Sequence, residues 1–302
     1  MIKIFQNSVL LGVVTIGCSG GLFANSISVN FHVGDDQQMD RHQISAGEFA
    51  GSEAYGIISS KWNNIDIGAG GLHRKPEQIF PPTKLIDQAG KRTGVVLSAP
   101  EDSTYFVGYA ASAETVGAEL GLPGNQDNLY NSYLSLGTDD SAVLKISNLG
   151  RNFTAGGYLA VIYSDTDEGK KKKGSAGPRQ SLFKLTPSNG AMIQKFTEDD
   201  PDIPNHDSTF DGSFVLSDGI ESGLDYSNVV VFDGLTADSF TLELTSPDSK
   251  RGGISGFQII SNAALAAGKG KKVDIPEPAT TVALTGLIVF LAATLRRRPR
   301  VA

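Results

Sequence analysis

The residues able to do chemistry are carboxylates first. Glu198, Asp199, Asp200 and Asp202 crowd into five positions, with Asp207 and Asp211 close behind. Calcium takes six to eight oxygen ligands, and loop carboxylates with backbone carbonyls supply them. Asp199, Asp200 and Asp202 are therefore candidate Ca2+ ligands, and Asp165, Asp167 and Glu168 form a second acidic group. Neither has the spacing of a helix-loop-helix calcium site, so a solvated loop is the competing account of both. The four histidines, His32, His42, His73 and His206, never fall at a short metal-ligand spacing. The Gly-Ala-Gly-Gly at 68–71 lacks the lysine and hydroxyl residue of a phosphate loop. No Gly-x-Ser-x-Gly elbow marks a serine hydrolase. A glycosidase needs two carboxylates at a set separation, and so acidic a chain offers candidates without selecting a pair. Trp62, the one tryptophan, could stack on a sugar ring or fill a core, and its neighbours Asn63 and Asn64 do not decide between them. Tyr105, Tyr109, Tyr130 and Tyr133 are further aromatic candidates.

These residues sit in a chain whose ends carry the clearest signals. Lys3 precedes an apolar run, 9–17, and a small-residue exit, the three-part order of a secretory signal peptide. Cleavage is expected after Ala24, with Leu22 an uncommon residue at the third position before the cut. Cys18, the only cysteine, lies inside this segment, and the Thr15-Ile16-Gly17 before it matches a lipoprotein pattern only in part. The mature chain then has neither a disulfide nor a thiol. At the other end, residues 279–295 are uncharged and apolar, long enough as a helix to cover roughly 25 Å. Arg296, Arg297, Arg298 and Arg300 follow. Basic clusters stay on the cytoplasmic side, so the bulk of the chain is expected outside.

Pro276-Glu277-Pro278 stands just before that apolar span. Two prolines hold a segment extended and bar it from the helix that follows. Tripeptide, apolar span and arginine cluster together resemble the PEP-CTERM sorting signal. The resemblance implies an exosortase-type processing enzyme as partner, with Pro276, Glu277 and Pro278 as its recognition residues, and a bacterium that makes exopolysaccharide. The predicted organisation is a signal peptide over 1–24, an exported domain over 25–261, a flexible linker over 262–275 rich in Ala, Gly and Lys, and the sorting tail over 276–300.

Between the ends lie roughly 250 residues, ample for a large β domain. The chain has 26 basic and 33 acidic residues; without Lys3, the four terminal arginines and Glu277, the exported part carries about −11. That balance argues against nucleic acid and against adhesion to anionic lipid. Alternating or short apolar runs bounded by Gly, Asn, Asp and Ser predict strands. They fall at 27–33, 104–109, 142–147, 157–163, 181–185, 191–196, 212–216, 228–232, 240–245 and 256–260. One short helix is expected over 112–120. Lys145 and Glu243 read as charges guarding sheet edges. The predicted fold class is all-β, a β-sandwich or jelly roll. The segments 61–64, 157–165, 232–241 and 251–259 are similar to uncharacterised secreted PEP-CTERM proteins of planctomycete and verrucomicrobial kind, which implies a jelly-roll module and no activity. The expected role is an exported envelope or extracellular-matrix protein, structural or adhesive, with polysaccharide as a candidate ligand. The alternative is a secreted glycan-active enzyme.

Overall fold

The computed structural model describes residues 25–32, 43–44, 48–67, 81–99, 107–110, 129–130, 132–135, 141–164, 180–198, 213–220, 226–247 and 252–269. Within them the chain is mostly β-sheet with two short helices. The strands are β1 (Ser26–His32), β2 (Asn63–Asp66), β3 (Thr83–Ile86), β4 (Arg92–Ser98), β5 (Val107–Ala110), β6 (Ser132–Ser135) and β7 (Ser141–Ser147). They continue as β8 (Tyr158–Tyr163), β9 (Gln180–Pro187), β10 (Ile193–Glu198), β11 (Val229–Leu235), β12 (Phe240–Thr245), β13 (Gly253–Ile254) and β14 (Gly256–Ser261). The helices are α1 (Arg151–Thr154) and α2 (Asn262–Lys269).

Three sheets form. One runs β11-β8-β14-β1-β2, the second β10-β9-β12-β7-β4-β3, and the third β13-β6-β5. From β7 onward the chain passes repeatedly between the first two: β7 lies in the six-stranded sheet, β8 in the five-stranded, β9 and β10 in the six-stranded, β11 in the five-stranded, β12 in the six-stranded and β14 in the five-stranded. All these ladders are antiparallel, and β1 with β2 is parallel.

Side chains alternate across a strand, so every second residue points inward. Ile27, Val29 and Phe31 of β1, Phe257 and Ile259 of β14 and Ala160 and Ile162 of β8 share one apolar cluster with Leu144 and Ile146 of β7, Phe183 and Leu185 of β9 and Leu242 and Leu244 of β12. The arrangement is sandwich-like: two sheets bury one face each against a common core. Leu134 of β6 and Ile254 of β13 enter the same cluster. Burial of one such Phe or Leu stabilises the fold by about 1.5–3 kcal/mol.

Several expectations change here. Lys145 and Glu243 guard no edge: β7 lies between β12 and β4, and β12 between β9 and β7. Their charges are tolerated because they project from the outer face of a sheet open to solvent. The stretch 213–216 is not a strand. Leu216 makes an isolated parallel bridge to Val229, and the Ser217 hydroxyl donates to the Phe196 carbonyl. The segment thus ties edge strand β10 to edge strand β11 and covers backbone that would otherwise invite pairing. The linker expected over 262–275 begins as a helix. Ser261 Oγ caps it, accepting from Ala264 N at 3.1 Å; Ala264 is buried. Alanine loses little side-chain entropy in a helix, which outweighs the looseness suggested by the Ala-Gly composition. Among the described residues no helix is long and apolar enough to cross a membrane. The predicted signal peptide with Ala24, the helix over 112–120, Pro276, Glu277, Pro278, the span 279–295 and Arg296, Arg297, Arg298 and Arg300 lie outside the described residues.

Candidate binding face

The two large sheets treat their outer faces differently. On the five-stranded sheet the outward residues of β1 are Ser26, Ser28, Asn30 and His32, and all are buried. A second apolar cluster covers this face, made by Leu159, Val161 and Tyr163 of β8 and Ile260 of β14 with Trp62, Leu129, Tyr130, Ala50 and Ala264. Buried polar groups are mostly hydrogen-bonded, and beneath this cover Ser26 Oγ donates to Gln88 Oε1 at 2.8 Å and Asn30 Nδ2 to Asn64 Oδ1 at 3.1 Å. Gln258, fully buried, donates from Nε2 to Ser28 Oγ at 3.0 Å and to Ile57 O at 2.9 Å. Its Oε1 accepts from Tyr163 Oη at 2.9 Å and from Ile57 N at 3.3 Å. Tyr163 Oη accepts in turn from Ser52 N at 3.0 Å. Burial pushes the Tyr163 hydroxyl well above the usual tyrosine range, and the Ser52 amide opposes the rise. One glutamine and one tyrosine thereby fasten the 50–59 segment onto the sheet. Gly56 permits that closeness: a Cβ there would lie 2.5 Å from Gln258 Oε1.

Trp62 belongs to this cover. It is 6 % exposed, its Nε1 donates to Ser59 O at 2.9 Å, and its ring centroid is 6.3 Å from that of Tyr163. With its indole enclosed it presents no face to a sugar, so the sugar-contact role is corrected to a core role. Tyr130 and Tyr133 are likewise buried. Tyr105 lies outside the described residues, and Tyr109 is placed in β5.

The outer face of the six-stranded sheet is the open one. Strand registers arrange its outward residues in rows. One row runs Lys84, Val96, Ser147. The next runs Ser98, Lys145, Thr241, Thr186. A third runs Val143, Glu243, Lys184, Gln194. Lys84, Lys145, Thr186 and Gln194 are exposed, and the others named are partly so. Lys184 Nζ meets Glu243 Oε1 at 3.3 Å, directly across the β9–β12 ladder. Among the described residues no carboxylate pairs with Lys84 or Lys145. Within these three rows three lysines stand against one glutamate, on a chain of net charge −7; Arg92, paired with Ile86, adds a cation beyond the first row, and Glu198, in register with Gln180, stands two rows beyond the third. Hydroxyls and an amide fill the places between.

The acidic candidates Asp199, Asp200 and Asp202, with Asp165, Asp167, Glu168, Asp207 and Asp211, lie outside the described residues, as do His42, His73 and His206; Glu198 ends β10. Sequence inspection passed over the lysine face. Lys145 and Lys184 each stand at an outward position of an alternating strand, which was the available signal, but that they share a face with Lys84 follows only from the strand order.

No family model matches the chain. No curated protein matches it. Six solved chains do. One is TmCBM61 in complex with beta-1,4-galactotriose, 10 % identical, covering 58 % of this chain and 93 % of that one, with a TM-score of 0.24. A superposition at that score carries no argument about this chain's fold or ligand.

Proposed function

We propose that the chain is an exported, non-enzymatic protein of the bacterial envelope or extracellular matrix. Its exported part is a jelly-roll module that holds polysaccharide on the open face of the six-stranded sheet. The strand passage supports the jelly-roll reading: β1-β14-β8-β11 on one side and β7-β12-β9-β10 on the other is the interleaving of two Greek keys. The observation that carries the binding role is the contrast between the two outer faces. One is sealed by a second core, and the other is left exposed or half-exposed and bears hydrogen-bonding side chains. Delivery rests on the order of Pro276-Glu277-Pro278, apolar span and arginines, with an exosortase-type enzyme acting on an inner-membrane-anchored precursor before the protein reaches the surface or the medium.

The test is fractionation of cells producing the chain tagged within the exported domain, beside a variant with Pro276, Glu277 and Pro278 replaced by alanine. A shortened wild type outside the cell and a full-length variant in the membrane is the expected result. Both species staying full length in the inner membrane would make the tail an ordinary anchor and overturn the sorting part of the proposal. Incubating the purified protein with candidate glycans checks the rest, because release of reducing ends would favour the enzyme reading.

A further inference from the structure

Resting on that reading of the open face, we infer that its ligand is an anionic polysaccharide, bearing carboxylates along its length, held by Lys84, Lys145 and Lys184. The three lysines form a diagonal. From Lys184 on β9 to Lys145 on β7 is two strands and one row; from Lys145 to Lys84 on β3 is again two strands and one row. With strands roughly 4.8 Å apart and about 3.4 Å per residue, each step is about 12 Å between backbones. Evenly spaced cations along one sheet face suit a linear polymer with evenly spaced charge. Ser98, Ser147, Thr241 and Gln194 lie beside the diagonal, placed to bond hydroxyls between the carboxylates.

Charge selects the polymer further. The surrounding chain is acidic, so a strongly charged polyphosphate meets repulsion beyond the face, and an anionic bilayer meets it over a broad area. A thin carboxylated chain touches the lysine track alone. The three rows hold no aromatic residue, and Phe196, paired with Leu182 in the row beyond the third, is 7 % exposed, so recognition here is ionic and hydrogen-bonded rather than by ring stacking. Glu243 competes for Lys184, leaving Lys84 and Lys145 as the stronger contacts. The acidic partner on one lysine also sets the register in which a ligand carboxylate can replace it.

The experiment measures retention of the full chain, purified in detergent, on immobilised alginate (a polyuronate), on laminarin (a neutral glucan) and on polyglutamate. Binding to alginate well above the other two is expected, weakened about tenfold by combined Lys84→Ala, Lys145→Ala and Lys184→Ala, retained by the three Lys→Arg changes, and suppressed by 1 M salt, where screening reaches about 3 Å. Lys145→Glu alone, an exposed change, gives the same loss if the triple variant does not fold. Equal binding to laminarin and alginate, unaltered in the variants, would overturn the anionic inference and leave the polysaccharide-binding face standing. Binding to neither glycan would end both. Equal binding to polyglutamate would reduce the face to a general anion patch and overturn the inference.

Discussion

Replacing Gln258 with alanine tests whether the 50–59 segment is held by the buried polar network. The side chain is fully buried and makes four hydrogen bonds, to Ser28, Tyr163 and both backbone groups of Ile57. Truncation strands the Tyr163 hydroxyl proton and the Ile57 amide and carbonyl. A buried unsatisfied group costs about 1–3 kcal/mol. Allowing a water to enter and satisfy part of the gap, the loss is about 3–5 kcal/mol, a large share of a total of roughly 5–15 kcal/mol. For a domain of this size it lowers the midpoint of thermal unfolding by roughly 6–20 °C. Urea unfolding followed by the fluorescence of Trp62 reads this directly, since that single tryptophan is buried in the same cluster. Tyr163→Phe removes the shared hydroxyl, so the double variant is expected to cost about 1–2 kcal/mol less than the sum of the two. A loss below about 1 kcal/mol for Gln258→Ala, or strict additivity with Tyr163→Phe, would refute the reasoning; apolar packing alone would then hold the segment.

Two further outcomes follow from the same region. Gly51 has φ +103°, and a Cβ there would stand 2.6 Å from the Ile57 carbonyl oxygen, backbone that cannot step aside; Gly51→Ala is expected to cost more than about 2 kcal/mol by thermal melt. Gly90→Ala, at φ +76° with open space around it, is expected to cost about 1 kcal/mol. Burial raises the hydroxyls of both Tyr163 and Tyr158, with the charge of Asp238 adding to the rise at Tyr158. The unfolded chain releases these protons near pH 10 while the folded chain keeps them, so their contribution is intact below about pH 10 and is lost as pH climbs above it. Urea midpoints measured between about pH 9 and 11 should fall, and fall less steeply in Tyr163→Phe.

Much of the fold was legible locally. Phe240-Thr241-Leu242-Glu243-Leu244-Thr245 reads as a strand by alternation and is β12 over the same residues. β7, β8, β9 and β14 lie within a residue or two of their expected bounds. β2 was not legible, because Asn63-Asn64-Ile65-Asp66 has no strand signature of its own. It is held by pairing with β1 and by the Asn63 side chain, which donates to Ser28 O and Ile86 O and accepts from Ile86 N. β3 and β4 did leave a signal, the Asp87 to Lys91 turn, in which Asp87 Oδ1 accepts from Ala89 N and Lys91 N. β13 has two residues, too few for any period to register.

For the candidate site, sequence by itself determined which residues of a strand share a face. Ser28 with Asn30, Lys145 with Ser147 and Lys184 with Thr186 follow from the two-residue period of an extended chain. Only the tertiary structure decided what each face meets. Ser28 and Asn30 look like solvent-facing positions, yet both are buried: Ser28 Oγ accepts from Gln258, on which the 50–59 segment is fastened, and Asn30 donates to Asn64 of β2. Lys84, Lys145 and Lys184 are 100 positions apart from first to last; what lines them up is the order β9-β12-β7-β4-β3 and its registers. Alternation is a property of one strand, whereas neighbour and register are set by which pairing buries the most apolar surface across the whole sandwich.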